Sequence, residues 1–133
     1  MAFVLDNSVV SGWYLENQAN AYTDAVAQRL RAESAHVPAV WELELTNVLR
    51  TACVRQRLDA QRAQAVLSHI GALPITVDRQ PIARSEILSL ALRFGLSTYD
   101  AAYLELALRL QCPVATLDEA LREAALAAGV GVI

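Results

Sequence analysis

Lysine is absent from this sequence of 133 residues, and all eleven basic residues are arginines. The formal net charge of −3 excludes a broadly basic coat for nucleic acid, although it leaves room for a local basic groove. An arginine guanidinium presents a planar fork that suits phosphate and carboxylate groups. We attribute the absence of lysine to genomic base composition first and infer no activity from it.

Cysteine and histidine are also scarce. The two cysteines, Cys53 and Cys112, lie in separate apolar segments at a spacing that matches no metal motif, which predicts buried, reduced thiols. The two histidines, His36 and His69, form no zinc pattern, and we interpret both as structural or surface residues. The sequence therefore predicts no zinc site.

Long apolar runs are missing too. No run approaches the roughly 18 residues of a membrane span, and no basic start with an apolar region behind it indicates a signal peptide. We therefore expect a cytoplasmic protein without a membrane partner. A composition of 55% hydrophobic and 19% charged residues argues against disorder, and the length predicts a single domain over residues 1–133.

Short β-like runs alternate with longer segments of helical periodicity. The β-like runs are residues 2–5, 35–38, 74–77, 113–116 and 130–133. The helical segments are 20–30, 39–56, 58–73, 81–94, 98–110 and 119–127. Gly71, Gly95 and Gly129 each follow a helical segment, where a C-cap glycine is expected. The alternation predicts an α/β fold with a mainly parallel sheet, whose ligands bind beyond the carboxyl ends of the strands.

Aspartates follow two of the β-like runs. Asp6 comes directly after the first run, and Asp118 stands in "VATLDEAL", two residues after the run 113–116. If both strands are parallel, both carboxylates lie at the same edge of the sheet. Either residue alone is also consistent with a helix N-cap. A buried carboxylate is costly unless something pairs with it, so Asp6 either caps a turn or holds a ligand.

A third aspartate, Asp100, lies in "LSTYDAAYLELALRL", three residues after the candidate N-cap Ser97. Helical periodicity places Asp100 in the first turn, on the inward apolar face, where the helix N-terminus stabilises a carboxylate. No basic residue stands nearby in the sequence to pair with it.

Two glutamates in segment 39–56 are the remaining candidates. Glu42 and Glu44 point about 160° apart on a helix, so at most one faces a common site. Glu44 shares its flank with Asn47 and Thr51, a polar strip typical of a wet cleft, whereas Glu42 faces solvent or pairs with an arginine. Periodicity alone does not decide between them.

Three or four converging carboxylates raise one another's pKa and are tolerated only when cations compensate them. Ligands that are all oxygen suit the hard divalent ions Mg²⁺ and Mn²⁺. The acidic set therefore predicts a divalent-metal site.

In this context the four acids resemble those of the PIN-domain nucleases, and most closely of the VapC-type toxins of bacterial type II toxin–antitoxin modules. "FVLDNSVV" resembles the family's opening strand, followed by Asp and, two residues later, Ser. "ELTNVL" resembles its Glu-x-x-Asn helix motif, which selects Glu44 over Glu42. "LSTYDAAYLELA" and "VATLDEAL" resemble the segments with the third and fourth acids. The resemblance covers essentially the whole chain, and Asn7 departs from it, since a small residue such as Ala or Thr often follows the first Asp.

The resemblance implies a three-layer α/β/α sandwich with a central, mainly parallel sheet of four to five short strands. It implies a ribonuclease that needs Mg²⁺ or Mn²⁺, is neutralised by a cognate antitoxin and forms a homodimer. The catalytic and metal-binding residues would be Asp6, Glu44, Asp100 and Asp118, supported by Ser8, Asn47 and Thr116. One or two ions would activate water for in-line attack on phosphorus, while the RNA is held mainly through its phosphates.

Other interpretations remain open for the function and for two surfaces. A PIN-like module that binds a partner without catalysis is one alternative, and an aspartyl-phosphate phosphatase is a weaker one, because Ser8 replaces its second acid and the chain has no lysine.

The densest basic stretch has three interpretations: it would line an RNA path, receive the antitoxin or form a solvated face with ion pairs. It comprises Arg50, Arg55, Arg57 and Arg62. The apolar side of a helix at 18–33 and the region near Trp13 and Tyr14 are candidate dimer surfaces.

Overall fold

The computed structural model describes residues 1–15 and 19–133, and a four-stranded parallel sheet lies at its centre. The spatial order is β3-β2-β1-β4, and every adjacent pair is parallel. The strands are β1 (Ala2–Leu5), β2 (Ser34–Pro38), β3 (Ile75–Asp78) and β4 (Val114–Ala115). Phe3, Val4 and Leu5 are fully buried, as expected for a parallel strand whose two faces are both covered.

Seven helices connect and flank these strands in the described part of the chain. They are α1 (Asn7–Tyr14), α2 (Ala21–Arg29), α3 (Val40–Val54), α4 (Ala60–Gly71), α5 (Arg84–Phe94), α6 (Thr98–Leu110) and α7 (Glu119–Ala128). In one packed group α1 contacts both α2 and α3, and α3 contacts α4. Helices α5, α6 and α7 form a second packed group with α6 against β1, β2 and β4.

The strand order explains why the helices form two layers. From β1 to β3 the chain winds in one direction across the sheet, and then it crosses back to place β4 beside β1. Because parallel crossovers are right-handed, the reversal moves α5 and α6 to the face opposite α1 to α4. The predicted α/β class with a central parallel sheet of four to five strands is thus confirmed.

The predicted strand at 130–133 is wrong, because this segment contributes only an isolated bridge between Val132 and Val114. Gly129 and Gly131 both have φ of +82°, so the backbone leaves the extended conformation in the middle of the apolar run. Two positive-φ residues around Val130 prevent the continuous pairing that a strand requires.

Two of the three glycine helix ends are confirmed. Gly95 and Gly129 end α5 and α7 in the left-handed conformation, whereas Gly71 is still helical and Ala72 is the C-cap with φ of −89°. The prediction for Gly71 is wrong because the Ala72 N–H bonds back to the carbonyls of His69 and Ile70. This tightened last turn needs no left-handed residue.

Two further expectations from the composition concern the cysteines and membrane-spanning helices. Cys112 is buried, Cys53 is half-buried, and both are free thiols. Within residues 1–15 and 19–133 no helix has the length and apolar character that a bilayer crossing demands.

Candidate active site

The candidate site is an open cleft of about 540 Å³ at the carboxyl edge of the sheet. It lies where the winding reverses, so the chain leaves β1 and β4, which are neighbours, on opposite faces and opens a crevice between them. Asp6 follows β1 directly, and Asp118 follows β4. Glu44 from α3 and Asp100 from α6 complete the set, so all four predicted acids line one cleft.

Asp6 occupies the N-cap position of α1, but its side chain makes no cap hydrogen bond. Instead Oδ2 accepts hydrogen bonds from Ser8 Oγ and Thr116 Oγ1, each at 2.7 Å. Only 6% of the residue is exposed, and this burial raises the pKa of the carboxyl group, with a smaller contribution from the Asp118 charge. The two hydroxyl donors partly oppose that rise by stabilising the ionised form. Asp6 is therefore not a simple turn cap.

The Ser8 and Thr116 hydroxyls also tie the β1 end to the β4 end. Thr116 Oγ1 accepts from the Asp118 backbone N–H at 2.9 Å, and Ser8 Oγ accepts from the Leu117 N–H at 3.0 Å. The Thr116 N–H in turn donates to the Tyr22 hydroxyl on α2 at 3.1 Å. Ser8 and Thr116, two of the three residues predicted to support the acids, thus fix the Asp6 carboxylate against the loop that carries Asp118.

The two glutamates of α3 have separate environments. Glu44 lines the cleft, and Tyr103 Oη donates a hydrogen bond of 2.6 Å to its Oε1. Burial raises the pKa of Glu44, the Tyr103 hydrogen bond lowers it, and the charges of Asp6 and Asp100 raise it further. Glu42 instead pairs with Arg79 at the surface, at 2.5 and 3.1 Å, and this hydrogen-bonded pair lowers the pKa of Glu42.

Asp100 and Asp118 both stand at helix N-termini. The Ser97 hydroxyl caps α6 by accepting from the Asp100 N–H at 3.1 Å, which confirms that N-cap. The pKa of Asp100 is raised first by burial and then by the Asp118 and Asp6 charges. Asp118 caps α7 by accepting from the Leu121 N–H at 2.8 Å while it also lines the cleft. Asp118 is therefore both the N-cap of α7 and a residue that lines the cleft.

Asn47, the third predicted supporting residue, is exposed on α3 and does not line the cleft. Asn7 does line the cleft, and its buried Oδ1 has no partner in the described part of the chain. Sequence reasoning missed the contacts of Tyr22 and Tyr103. For Tyr103 a local signal existed, because it follows Asp100 by three residues and so shares its face of α6.

The cleft fits a divalent cation in donor chemistry and charge. Four carboxylates line it, and the salt bridges found among the described residues involve none of them. Oxygen donors with uncompensated negative charge suit Mg²⁺ and Mn²⁺. Yet no three acidic, histidine or cysteine side chains of the described residues stand close enough to form a ready ligand group.

Sequence comparisons agree with the motifs. Residues 3–126 match the PIN domain family. Ribonuclease VapC12 of Mycobacterium tuberculosis is 34% identical over 115 residues, covering 86% of this chain and 85% of that protein. VapC ribonuclease Mb0985 of Mycobacterium bovis is also 34% identical, over 91 residues, covering 68% of this chain and 70% of the relative.

Two solved structures share the fold. FitAcB from Neisseria gonorrhoeae superposes with a TM-score of 0.68 at 21% identity, covering 100% of this chain and 96% of that one. PAE2754 from Pyrobaculum aerophilum superposes with a TM-score of 0.66, also at 21% identity, covering 93% of this chain and 79% of that one. At these identities the likeness concerns the fold alone.

Proposed function

The chain belongs to the PIN-domain family, and from that premise we propose that it is a VapC-type ribonuclease that hydrolyses RNA phosphodiester bonds with Mg²⁺ or Mn²⁺. The observation that carries the proposal is a set of four carboxylates lining one cleft where the sheet reverses its winding, none of them in a salt bridge with another described residue. Two relatives are named as ribonucleases, and the alignments cover most of the length of each. They support the choice of RNA as substrate.

In this proposal Asp6, Glu44, Asp100 and Asp118 hold the cation, one or two ions in number. A bound Mg²⁺ or Mn²⁺ supplies Lewis-acid activation of a water nucleophile and offsets charge on the leaving oxygen. Ser8 and Thr116 keep the Asp6 carboxylate in one orientation through their two 2.7 Å hydrogen bonds. If the exposed arginines near the end of α3 line the RNA path rather than the antitoxin surface, they would attract the RNA phosphates.

The biological role follows from the likeness to VapC proteins. We propose that the chain is the toxin of a toxin–antitoxin module, that a cognate antitoxin neutralises it, and that it works as a homodimer. Expression of the antitoxin-free chain should arrest growth, and an Asp6→Asn variant should not.

The direct test uses a matched pair of glutamates on one helix. Glu44→Gln should lower kcat for RNA cleavage about 100-fold or more, because it removes a charged ligand. Glu42→Gln, which loses only the surface pair with Arg79, should cleave like the wild type. Antitoxin-free protein is assayed on a fluorescent RNA with Mn²⁺, with Mg²⁺ and with EDTA.

Three results contradict the proposal: cleavage that persists in EDTA, equal rates for the two glutamine variants, and no cleavage by the wild type with either metal. The third result, together with retained antitoxin binding, would favour the non-catalytic partner-binding module.

A further inference from the structure

Tyr103 is a fully buried residue of α6 whose hydroxyl reaches another helix. Its side chain lies within the hydrophobic core, and its Oη donates to Glu44 Oε1 on α3 at 2.6 Å. A buried phenol must find a partner for its O–H, whereas phenylalanine would fill nearly the same volume without that requirement. The partner is a carboxylate of the candidate site, 59 residues away in sequence.

This hydrogen bond opposes the forces that would move Glu44 out of the cleft. A glutamate side chain has several rotatable bonds, and ordering it costs conformational entropy. The charges of Asp6 and Asp100 act on Glu44 as well, so repulsion favours rotamers that point away from them. A short hydrogen bond to a carboxylate is charge-assisted and is stronger than one between neutral groups.

The Tyr103 phenol keeps its proton beside the acids of the cleft. Burial raises the pKa of this phenol, and the charges of Asp6 and Glu44 raise it further, so the hydroxyl remains a donor to Glu44. In the described part of the chain Glu44 Oε2 has no hydrogen-bond partner, so one carboxylate oxygen is anchored and the other is available.

We propose that Tyr103 is a positioning residue, whose hydroxyl anchors Glu44 Oε1 and so holds Oε2 in the cleft as a cation ligand. This role rests on the proposed metal-dependent ribonuclease function. Tyr103 contacts neither RNA nor cation in this proposal and acts only through Glu44.

The test measures Mn²⁺ binding by isothermal titration calorimetry on metal-free, antitoxin-free protein. Tyr103→Phe should weaken Mn²⁺ affinity about tenfold, the loss expected for one hydrogen bond to a charged group. Tyr14→Phe is the matched control, because it deletes a hydroxyl that contacts His69, away from the cleft, and should bind Mn²⁺ like the wild type. Melting temperatures without metal establish that each variant is folded.

RNA cleavage gives a second readout of the same variants. For Tyr103→Phe the rate at limiting Mn²⁺ should fall, and raising Mn²⁺ should restore kcat, while KM for RNA stays unchanged. In a Glu44→Gln background, Tyr103→Phe should change Mn²⁺ affinity no further, because the residue through which it acts is already altered.

The outcomes separate this inference from the proposed function. If the wild type binds no Mn²⁺, the metal-dependent function itself fails. If the wild type binds Mn²⁺ and Tyr103→Phe binds it equally well, only the role of Tyr103 is overturned. Additive effects of the two substitutions would likewise overturn action through Glu44.

The wild-type protein offers a further measurement if Tyr103→Phe does not fold. A hydroxyl hydrogen-bonded to a carboxylate at 2.6 Å should give a downfield proton resonance with Overhauser contacts to the Tyr103 ring. Addition of Mg²⁺ should shift that resonance when Glu44 takes the cation. A resonance that Mg²⁺ leaves unmoved would overturn the proposal.

Discussion

The Asp6 carboxylate is buried against two hydroxyl groups and has no guanidinium partner in the described part of the chain. Such a group costs stability, because its ionised form has lost water and faces other negative charges. The same reasoning applies to Glu44 and Asp100, whose pKa values are also raised, first by burial. The metal-free protein should therefore become more stable when one of these charges is removed.

Asp100→Asn tests this cost. The raised pKa means that the folded state holds this proton more tightly, so the contribution of Asp100 to stability falls as pH rises through the folded-state pKa. At pH 7 the metal-free variant should melt about 2 °C above the wild type, which corresponds to roughly 0.5 kcal/mol for a half-exposed group. The difference should vanish at a pH below the unfolded pKa of an aspartate. Differential scanning calorimetry in EDTA measures both.

Adding Mn²⁺ should reverse the order of these two proteins. The wild type gains stability by mass action on its folded state, and Asp100→Asn, with one ligand fewer, gains less. Equal shifts at millimolar Mn²⁺ would count against Asp100 as a ligand, and a variant that melts lower in EDTA would count against the repulsion argument.

Much of the site was predictable from local patterns, because strand ends and helical periodicity placed Asp6, Asp118 and Asp100 without tertiary information. Asn47 lies outside the lining of the cleft for a simple geometric reason. From Glu44, a step of three residues turns about 60° one way round the helix and a step of four turns about 40° the other way, so Val48 lines the cleft instead. The contact of Tyr22 escaped prediction because its partner lies 94 residues away.

Helix α3 contributes other residues to the cleft besides its one acid, Glu44. Glu44 and Val48 line the cleft, and Thr51 and Arg55 continue the same stripe at helical spacing toward the end of α3. Arg55, Arg50 and Arg57 are exposed, and none of the salt bridges among the described residues involves them. The ion pairs that the solvated-face interpretation expects are therefore not found for these three arginines among the described residues, and the RNA and antitoxin interpretations stay predictions.

Arg55→Gln tests the RNA interpretation. An arginine that contacts a phosphate contributes about one unit to the dependence of log affinity on log salt. The variant should raise KM for RNA several-fold at low salt, flatten the salt dependence and leave Mn²⁺ affinity unchanged. Arg93→Gln on α5, in the other helical layer, is the control and should change neither.

An unaltered KM in Arg55→Gln, combined with weaker antitoxin binding, would assign the stretch to the antitoxin.

The sequence predicted helix boundaries most accurately where a local signal marks the boundary. The Ser97 cap placed the start of α6 at Thr98, whereas 81–94 proved too long because Pro81, Ile82 and Ala83 precede the observed start of α5.

The winding reversal brings the first and fourth acids together, and local sequence could not predict it. Strand order depends on which strands pair across more than a hundred residues, as Leu5 does with Ala115. The sequence predicted that both aspartates lie at one edge. Only the position of β4 beside β1, on the side opposite β2, makes that edge a cleft.

The proposed homodimer requires a surface, and α5 carries two exposed leucines on one face of the helix. Leu88 and Leu92, one turn apart on this helix, are 55% and 76% exposed. Trp13 and Tyr14, predicted as part of a dimer surface, are half-buried, and no large apolar side chain of residues 19–33 is among the exposed ones. Residue 18, the start of the other predicted surface, lies outside the described residues.

Charge placed on this face of α5 should break the dimer, because a glutamate at a buried apolar contact loses its water without gaining a partner. We expect the wild type to elute with twice the chain mass in light-scattering chromatography, and Leu88→Glu/Leu92→Glu to elute as a monomer at the same concentration. Leu126→Glu, half-exposed on α7, is the control and should remain dimeric. A monomeric wild type would refute the dimer, and a dimeric double variant would move the interface away from α5.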